Sequence, residues 1–199
     1  MVSPEKVESK INQIKQDVAN CRRCSLWKTR KNPVLGDGSL DTRVMFIGEA
    51  PGYYEDIQGI PFVGRAGKVF DELLKSIELQ RKNIYITNIL KCRPPENRNP
   101  FDTEIKACTP YLDRQIMAIK PMVIVTLGNF ASTYILSKFG LQAKKIGAIH
   151  GNIFQIENLE FKSSIIPLYH PATAVYNPKF RNVLLKDFVS IKKALKSRS

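Results

Sequence analysis

The chain has 199 residues, a length that favours a single domain, residues 1–199, with one sizeable core. Hydrophobic residues make up 43% of it, and no apolar run approaches the roughly 20 residues of a membrane helix, so no membrane partner is expected. The polar N-terminus lacks the pattern of a signal peptide, which predicts a cytoplasmic protein.

The net charge is +13, and the surplus of Lys and Arg is concentrated near the two ends of the chain. Such a positive charge suits the binding of a polyanion, because phosphates release counterions when they are neutralised and this release drives sequence-independent binding. A solvated basic face is the alternative interpretation, so charge alone does not identify DNA as the partner.

Helices and strands alternate along the chain. Apolar residues at helical spacing predict helices over residues 4–20 and 69–77. Continuous apolar runs predict four strands buried on both faces: residues 44–47, 84–86, 123–125 and 165–166. Because strands that alternate with helices form a parallel sheet covered by those helices, the sequence predicts an α/β protein with a mostly parallel four-stranded sheet.

The segments that follow these strands carry unusual residues. GEAPG at 48–52 follows the first strand, Asn88 the second, and His170 the last. Since ligands of open α/β sheets bind at the carboxyl ends of the strands, these residues are expected to share one site. The other histidine, His150, precedes a glycine in a predicted turn and is expected to be structural. The sequence has no phosphate-loop or dinucleotide fingerprint, which argues against a nucleotide cofactor.

The chain contains four cysteines, which is the number of ligands that a closed, all-thiolate metal site needs. Cys21 and Cys24 form a close CxxC pair, and Cys92 and Cys108 lie much farther along. A disulfide framework is not expected in a cytoplasmic chain. A zinc ribbon more often has two close pairs, so the spacing favours an iron–sulfur cluster, with zinc and four unrelated buried thiols as open alternatives.

Five motifs, in this order, resemble those of the type-4 uracil-DNA glycosylases: Cys21-x2-Cys24, GEAPG at 48–52, PFVGRAG at 61–67, TNILKCRPP at 87–95 and HPA at 170–172. They span nearly the whole chain. The resemblance implies a three-layer α/β/α sandwich, a four-iron four-sulfur (4Fe-4S) cluster on the four cysteines, hydrolytic removal of uracil from DNA and a thermophilic source.

An enzyme that acts on a base must extrude it into a pocket that stacks on the ring and reads its hydrogen-bonding edge. Phe62 can supply the stacking face, and the Asn88 amide can accept from uracil N3–H while donating to O4. Cytosine presents the opposite pattern and would be rejected. From the residues alone, a core position for Phe62 and a strand-end turn for Asn88 stay open.

Cleavage of the glycosidic bond leaves negative charge on uracil, which a hydrogen-bond donor at the base oxygen stabilises. His170 is the predicted donor. Better-known uracil glycosylases carry an Asp for the attacking water where this chain has Ala50, so Glu49 is the candidate for water activation, with Glu55 and Asp56 as alternatives. By resemblance, Glu55 fills the space beside uracil C5 and excludes the thymine methyl. The predicted uracil site comprises Glu49, Ala50, Glu55, Phe62, Asn88 and His170.

Outside the base pocket, Tyr176 is the candidate wedge for the gap that a flipped base leaves, with surface packing as an equal alternative. The predicted phosphate contacts are Arg65, Lys91, Arg93 and Arg181. The predicted protein is a monomeric, monofunctional glycosylase that acts on uracil in single- and double-stranded DNA, with any replication or repair partner unidentified. A non-catalytic iron–sulfur DNA-binding module is the alternative, which Ala50 in place of Asp would favour.

Overall fold

A computed structural model describes residues 4–157 and 162–197 of the chain. The helices in these ranges are α1 Pro4–Ala19, α2 Tyr53–Gln58, α3 Arg65–Ser76, α4 Asp102–Ile119, α5 Asn129–Lys138, α6 Ile146–Ile149, α7 Ala172–Tyr176 and α8 Lys179–Lys196. The same ranges contain three 3-10 helices, which cover Ser25–Lys28, Arg81–Asn83 and Pro95–Asn97. None of the helices in the described ranges is long and apolar enough to cross a membrane.

The described strands form one six-stranded sheet in the order β1-β3-β2-β4-β6-β5. They are β1 Asp37–Gly38, β2 Val44–Gly48, β3 Tyr85–Asn88, β4 Val123–Leu127, β5 Phe154–Glu157 and β6 Lys162–Leu168. The four inner strands are parallel and contain the four predicted runs except Ile84, which directly precedes β3, whereas β1 and β5 are antiparallel edges. The predicted four strands are therefore the centre of the sheet, and the two short edge strands were missed.

Alternate residues of the inner strands face opposite helical layers, because successive side chains of a strand point to opposite sides of the sheet. Met45 and Ile47 of β2 belong to a buried cluster with apolar residues of α1, α4 and α5. Val44 and Phe46 belong to a second cluster with α3 and α8. The chain thus forms the three-layer α/β/α sandwich, and burial on both faces explains why these strands read as continuous apolar runs.

The order of the inner strands places the site. β2 pairs with β3 on one side and with β4 on the other, so the chain connections diverge at the carboxyl end of β2. Such a switch point leaves a crevice in which ligands bind. Gly48 ends β2 directly beside Asn88, which ends β3, and His170 follows the end of β6 by two residues.

Candidate active site

A cavity of about 440 Å³ opens at these strand ends. Its wall contains seven residues predicted from the sequence: Glu49, Ala50, Glu55, Phe62, Asn88, His170 and Tyr176. It also contains Ala66, Asn97 and Asn99, which the sequence analysis did not single out. The volume lies within the range of about 300–1,000 Å³ that is typical of small-molecule sites.

The floor of the cavity depends on Gly48. A Cβ at this position would lie 2.3 Å from Asn88 Oδ1 and 2.9 Å from the Phe62 ring. The absence of a side chain at Gly48 therefore leaves room for two other side chains, those of Asn88 and Phe62, above β2.

Asn88 is nearly enclosed, with 2% of its surface exposed. Its Oδ1 has no hydrogen-bond partner among the described residues. An unpaired buried acceptor costs about 1–3 kcal/mol, and native proteins rarely leave one without a reason. Because Asn88 lines the cavity, this oxygen is available to an N–H donor of a bound molecule.

Phe62 is held in a left-handed backbone conformation, with φ of 55°. The Arg81 guanidinium donates to the carbonyl oxygens of Pro61 and Phe62 and is itself paired with Asp71 at 2.6 Å. A Cβ at Gly67 would lie 1.9 Å from the Phe62 oxygen, so α3 can approach this turn only through glycine. A non-glycine residue in this region is strained, and the contacts around it must hold it there. Arg81 was not predicted as a site residue.

Glu55 joins α2 to the turn that carries Phe62. Its Oε1 accepts hydrogen bonds from the backbone N–H groups of Val63 and Gly64 at 3.1 and 3.0 Å. Its Oε2 would lie 2.7 Å from a Cβ at Gly52. Glu55 is thus a fixed part of the wall. Asp56, the other alternative for water activation, is buried away from the cavity and accepts from the Lys31 N–H, so that interpretation is wrong.

His170 presents one nitrogen to the cavity as a donor. The backbone N–H of Ala172 donates to its Nδ1 at 3.1 Å, so the ring proton lies on Nε2. Burial lowers the pKa of His170 to about 4, which keeps the imidazole neutral near pH 7. The ring stacks on Phe62, with centroids 5.5 Å apart and planes inclined by 24°. Packing and the backbone bond together fix the donor's direction.

Glu49 is the carboxylate in the wall that has no hydrogen bond to its side chain within the described part of the chain. Burial raises the pKa of Glu49 above its usual value. A carboxylate with a raised pKa is a stronger base than an exposed one, so Glu49 can accept a proton from a water molecule in the cavity.

The predicted wedge and three of the four predicted phosphate contacts lie at the surface. Tyr176 is 85% exposed at the end of α7, on the wall of the cavity. Arg65 is the exposed first residue of α3, and Arg93 Nε donates to Asn97 Oδ1 at 2.8 Å. Arg181 is exposed and pairs with Glu72 at 2.8 Å, near α3 rather than at the cavity wall.

Lys91 is not a phosphate contact, because only 1% of it is exposed. Its Nζ donates to Thr87 Oγ1, the Asn88 carbonyl and Gln115 Oε1 at 2.6–2.7 Å. Burial lowers the pKa of this ammonium to about 7. Lys91 therefore ties the end of β3 to α4 from inside the protein.

A second, smaller cavity is lined by all four cysteines, together with Arg30 and Tyr111. Arg30 donates to Cys92 Sγ at 3.2 Å, and the Lys91 backbone N–H donates to Cys108 Sγ at 3.2 Å. No group of three or more His, Cys, Asp or Glu side chains in the described ranges converges closely enough to hold a metal ion. The four cysteines share a cavity, and in the described ranges they do not form a single-ion site.

His150 lies away from both cavities. Its Nδ1 is 2.8 Å from Asp187 Oδ2, and its ring packs on Tyr169. A Cβ at Gly151 would lie 2.8 Å from the Asp187 carboxylate, which accounts for the glycine that follows this histidine. The contacts of His150 are those of a residue that joins α8 to the sheet.

Comparison with known proteins assigns the family. The sequence model of the uracil DNA glycosylase superfamily matches residues 35–193. The chain is 46% identical to the type-4 uracil-DNA glycosylase of Saccharolobus solfataricus over 94% of its own length and 88% of that protein. It is 44% identical to the Archaeoglobus fulgidus enzyme, covering 91% of each chain, and 40% identical to that of Thermotoga maritima, covering 92% and 93%. The chain therefore belongs to the type-4 family of the uracil-DNA glycosylase superfamily.

Proposed function

We propose that this chain, acting as a monomer and a single domain in the cytoplasm, removes uracil from DNA by hydrolysing its N-glycosidic bond. The observation that carries the proposal is the unpaired Oδ1 of Asn88 on the cavity wall. Uracil N3–H is a donor for this oxygen, and uracil O4 is an acceptor for the amide hydrogens. Cytosine would leave both bonds unmade, at about 1–3 kcal/mol each.

His170 stabilises the leaving base. As the bond to the sugar breaks, negative charge develops on the uracil ring, and Nε2–H donates to uracil O2. A neutral imidazole serves here because Ala172 fixes the tautomer, so the proton already lies on the nitrogen that meets the base. Removal of one such preorganised donor typically costs 10²- to 10³-fold in rate.

The remaining wall residues divide the other tasks. Glu49 accepts a proton from the water that attacks the sugar, a role that Ala50 cannot fill. Phe62 offers its ring to the base, and Glu55 fills the space next to C5, where thymine has its methyl group. The fixed position of Glu55 supports this exclusion, because a wall that cannot yield rejects an added methyl.

Strand scission tests the activity. An end-labelled oligonucleotide with one uracil is incubated with the protein and then treated with alkali, which cleaves abasic sites. We expect fragments from uracil but not from thymine at the same position. A protein that shifts the oligonucleotide in a gel without producing fragments would be the non-catalytic DNA-binding module instead.

Asn88→Asp tests the reading of the base. The carboxylate can accept from the cytosine N4 amine but, when ionised, can no longer donate to uracil O4; when protonated, it can also donate to cytosine N3. We expect slow strand scission at cytosine together with reduced excision of uracil. Full uracil activity without any cytosine activity would show that Asn88 does not read this edge.

We also propose that Cys21, Cys24, Cys92 and Cys108 hold a 4Fe-4S cluster. Four sulfur ligands around one cavity, with N–H groups directed at two of them, fit an anionic cluster better than a single ion. When bound, the cluster would join the segment after α1 to β3 and α4, with a structural role. Purified protein should absorb broadly near the blue end of the visible spectrum, whereas colourless protein containing zinc would contradict the assignment.

A further inference from the structure

Exposed apolar side chains are concentrated in the chain segment that joins two residues of the cavity wall. The described residues include eight large hydrophobic side chains that are exposed: Tyr53, Tyr54, Ile57, Ile60, Phe101, Ile153, Tyr176 and Val189. Four of them lie in the segment 53–60, between the cavity residues Gly52 and Phe62. Clusters of this kind on a protein surface mark interaction sites.

The two tyrosines at the start of α2 are the most prominent part of this surface. Tyr53 and Tyr54 are 53% and 57% exposed. Their rings meet edge to face, with centroids 5.4 Å apart. Tyr54 also lies near Gly64, since its Cδ2 would be 3.7 Å from a Cβ there. The rings are therefore held beside the turn that carries Phe62, with much of their surface open to solvent.

The acids of α2 do not share this surface. Glu55 is directed toward the backbone of Val63 and Gly64, and Asp56 is buried against Lys31. A phosphate that approaches the tyrosines therefore does not meet either carboxylate at the surface of the helix.

Arginines lie on both sides of the pair. The Arg93 guanidinium carbon lies 5.1 Å from the centre of the Tyr53 ring, and Arg93 also contacts Asn97 on the cavity wall. Arg65 follows Gly64 directly and is exposed. Neither arginine forms an ion pair with an acid in the described ranges. Glu96, which is exposed near Arg93, is the acid closest to them in sequence.

Exposed aromatic rings bordered by arginines that have no acidic partner are the combination with which proteins hold unpaired nucleotides, because bases stack on the rings and phosphates contact the cations. Successive nucleotides along a strand are only a few ångströms apart, so a surface at the cavity mouth must meet the neighbours of the extruded base. An apolar protein partner would gain little binding energy from two arginines that have no acidic partner among the described residues.

We propose that Tyr53 and Tyr54, with Arg93 and Arg65, form a stacking platform for the base that adjoins the extruded uracil on the same strand. The proposal rests on the proposed function, since it requires DNA in the cavity. It adds a second binding site for DNA, which recognises any base by its ring face rather than by its hydrogen-bonding edge.

The test measures binding to single-stranded oligonucleotides by fluorescence anisotropy. Each carries one 2′-fluoro-deoxyuridine, whose glycosidic bond resists hydrolysis, and its neighbours are either normal nucleotides or abasic linkers. For wild-type protein we expect loss of the neighbouring base to weaken binding roughly 5- to 30-fold, the size of one stacking contact. The Tyr53→Ala/Tyr54→Ala variant should bind the normal oligonucleotide more weakly by a similar factor. It should then be almost insensitive to the linkers, because the two changes remove the same contact.

The matched control is Tyr53→Phe/Tyr54→Phe, which keeps both rings and should bind like wild type. If the alanine variant loses the same affinity for oligonucleotides with and without neighbouring bases, the proposed platform is wrong. It is also wrong if the variant binds with unchanged affinity, and an apolar protein partner would then be the better explanation of the exposed tyrosines. If wild-type protein is indifferent to the linkers, the proposal fails without reference to any variant. Failure to prefer 2′-fluoro-deoxyuridine over thymidine would count against the proposed function instead.

Discussion

The inner wall and the rim of the base cavity are built in opposite ways. On the inner wall, Phe62 is held by Arg81, His170 by the Ala172 N–H, and Glu55 by two backbone N–H groups. On the rim, Tyr53 and Tyr176 are more than half exposed. Chemistry at one bond needs atoms fixed in advance, whereas a polymer of varying sequence needs contacts that adapt. The molecule separates these two demands in space.

The largest effect is expected for His170→Ala, a substitution on the inner wall. We expect excision of uracil to fall roughly 10²- to 10³-fold, since one oxyanion donor is lost, while DNA affinity changes little. Single-turnover excision and anisotropy measure the two quantities separately. A parallel loss of binding would mean that His170 supports the fold rather than the reaction.

Arg81→Met tests whether the fixed geometry itself matters, because Arg81 supports Phe62 without lining the cavity. Release of a strained turn worth about 1–3 kcal/mol should lower excision roughly 10- to 100-fold. The control is Lys82→Met, which removes an exposed cation from the same 3-10 helix. A similar loss of excision in both variants would indicate that the lost positive charge matters, rather than the lost hydrogen bonds from Arg81 to the Phe62 turn.

On the rim, Tyr176→Ala should have a smaller effect that depends on the substrate. We expect binding to duplex DNA to weaken roughly 3- to 10-fold, because the gap left by the flipped base is no longer filled. Action on single strands should be nearly normal, since they contain no such gap. Tyr176→Phe keeps the ring and serves as the control. The wedge assignment would be wrong if both substrates suffered alike.

The smallest expected effect is that of pH on His170 between pH 6 and 8. With its pKa lowered to about 4, only about 1% of the ring is protonated at pH 6, so kcat/KM should show no step from this residue. The half-buried neutral ring contributes stability that is present above the unfolded pKa near 6.5 and lost as pH falls through about 4. An inflection near pH 6.5 that disappears in His170→Asn would contradict the neutral donor.

Much of the architecture was predictable because its signals are local. The inner strands are continuous apolar runs, and Asn88 and His170 follow two of them. Because ligand sites in parallel sheets lie at the carboxyl ends of the strands, the sequence predicts that these two residues share one site. β1, by contrast, consists of Asp37 and Gly38, whose strand conformation comes from pairing with β3 and not from their side chains.

Residues whose roles arise from distant partners were missed or misplaced. Lys91 precedes Cys92 and Arg93 in the sequence and looks like part of a basic surface. In the structure its ammonium is buried because it donates hydrogen bonds to acceptors on β3 and α4. Arg81 looks like an ordinary cation between a helix and a strand, and its role appears only once the chain before α3 folds back on it. No local pattern encodes either contact.

Gly48 makes the pocket difficult to alter by laboratory evolution. Every other amino acid adds a Cβ that displaces Asn88 and Phe62 at once, so a single codon change there disturbs base reading and the aromatic wall together. Variant libraries aimed at new base specificities would do better to keep Gly48 constant and randomise Ala50, Glu55 and Asn88. At those positions a changed side chain alters the wall itself and leaves the backbone of β2 in place.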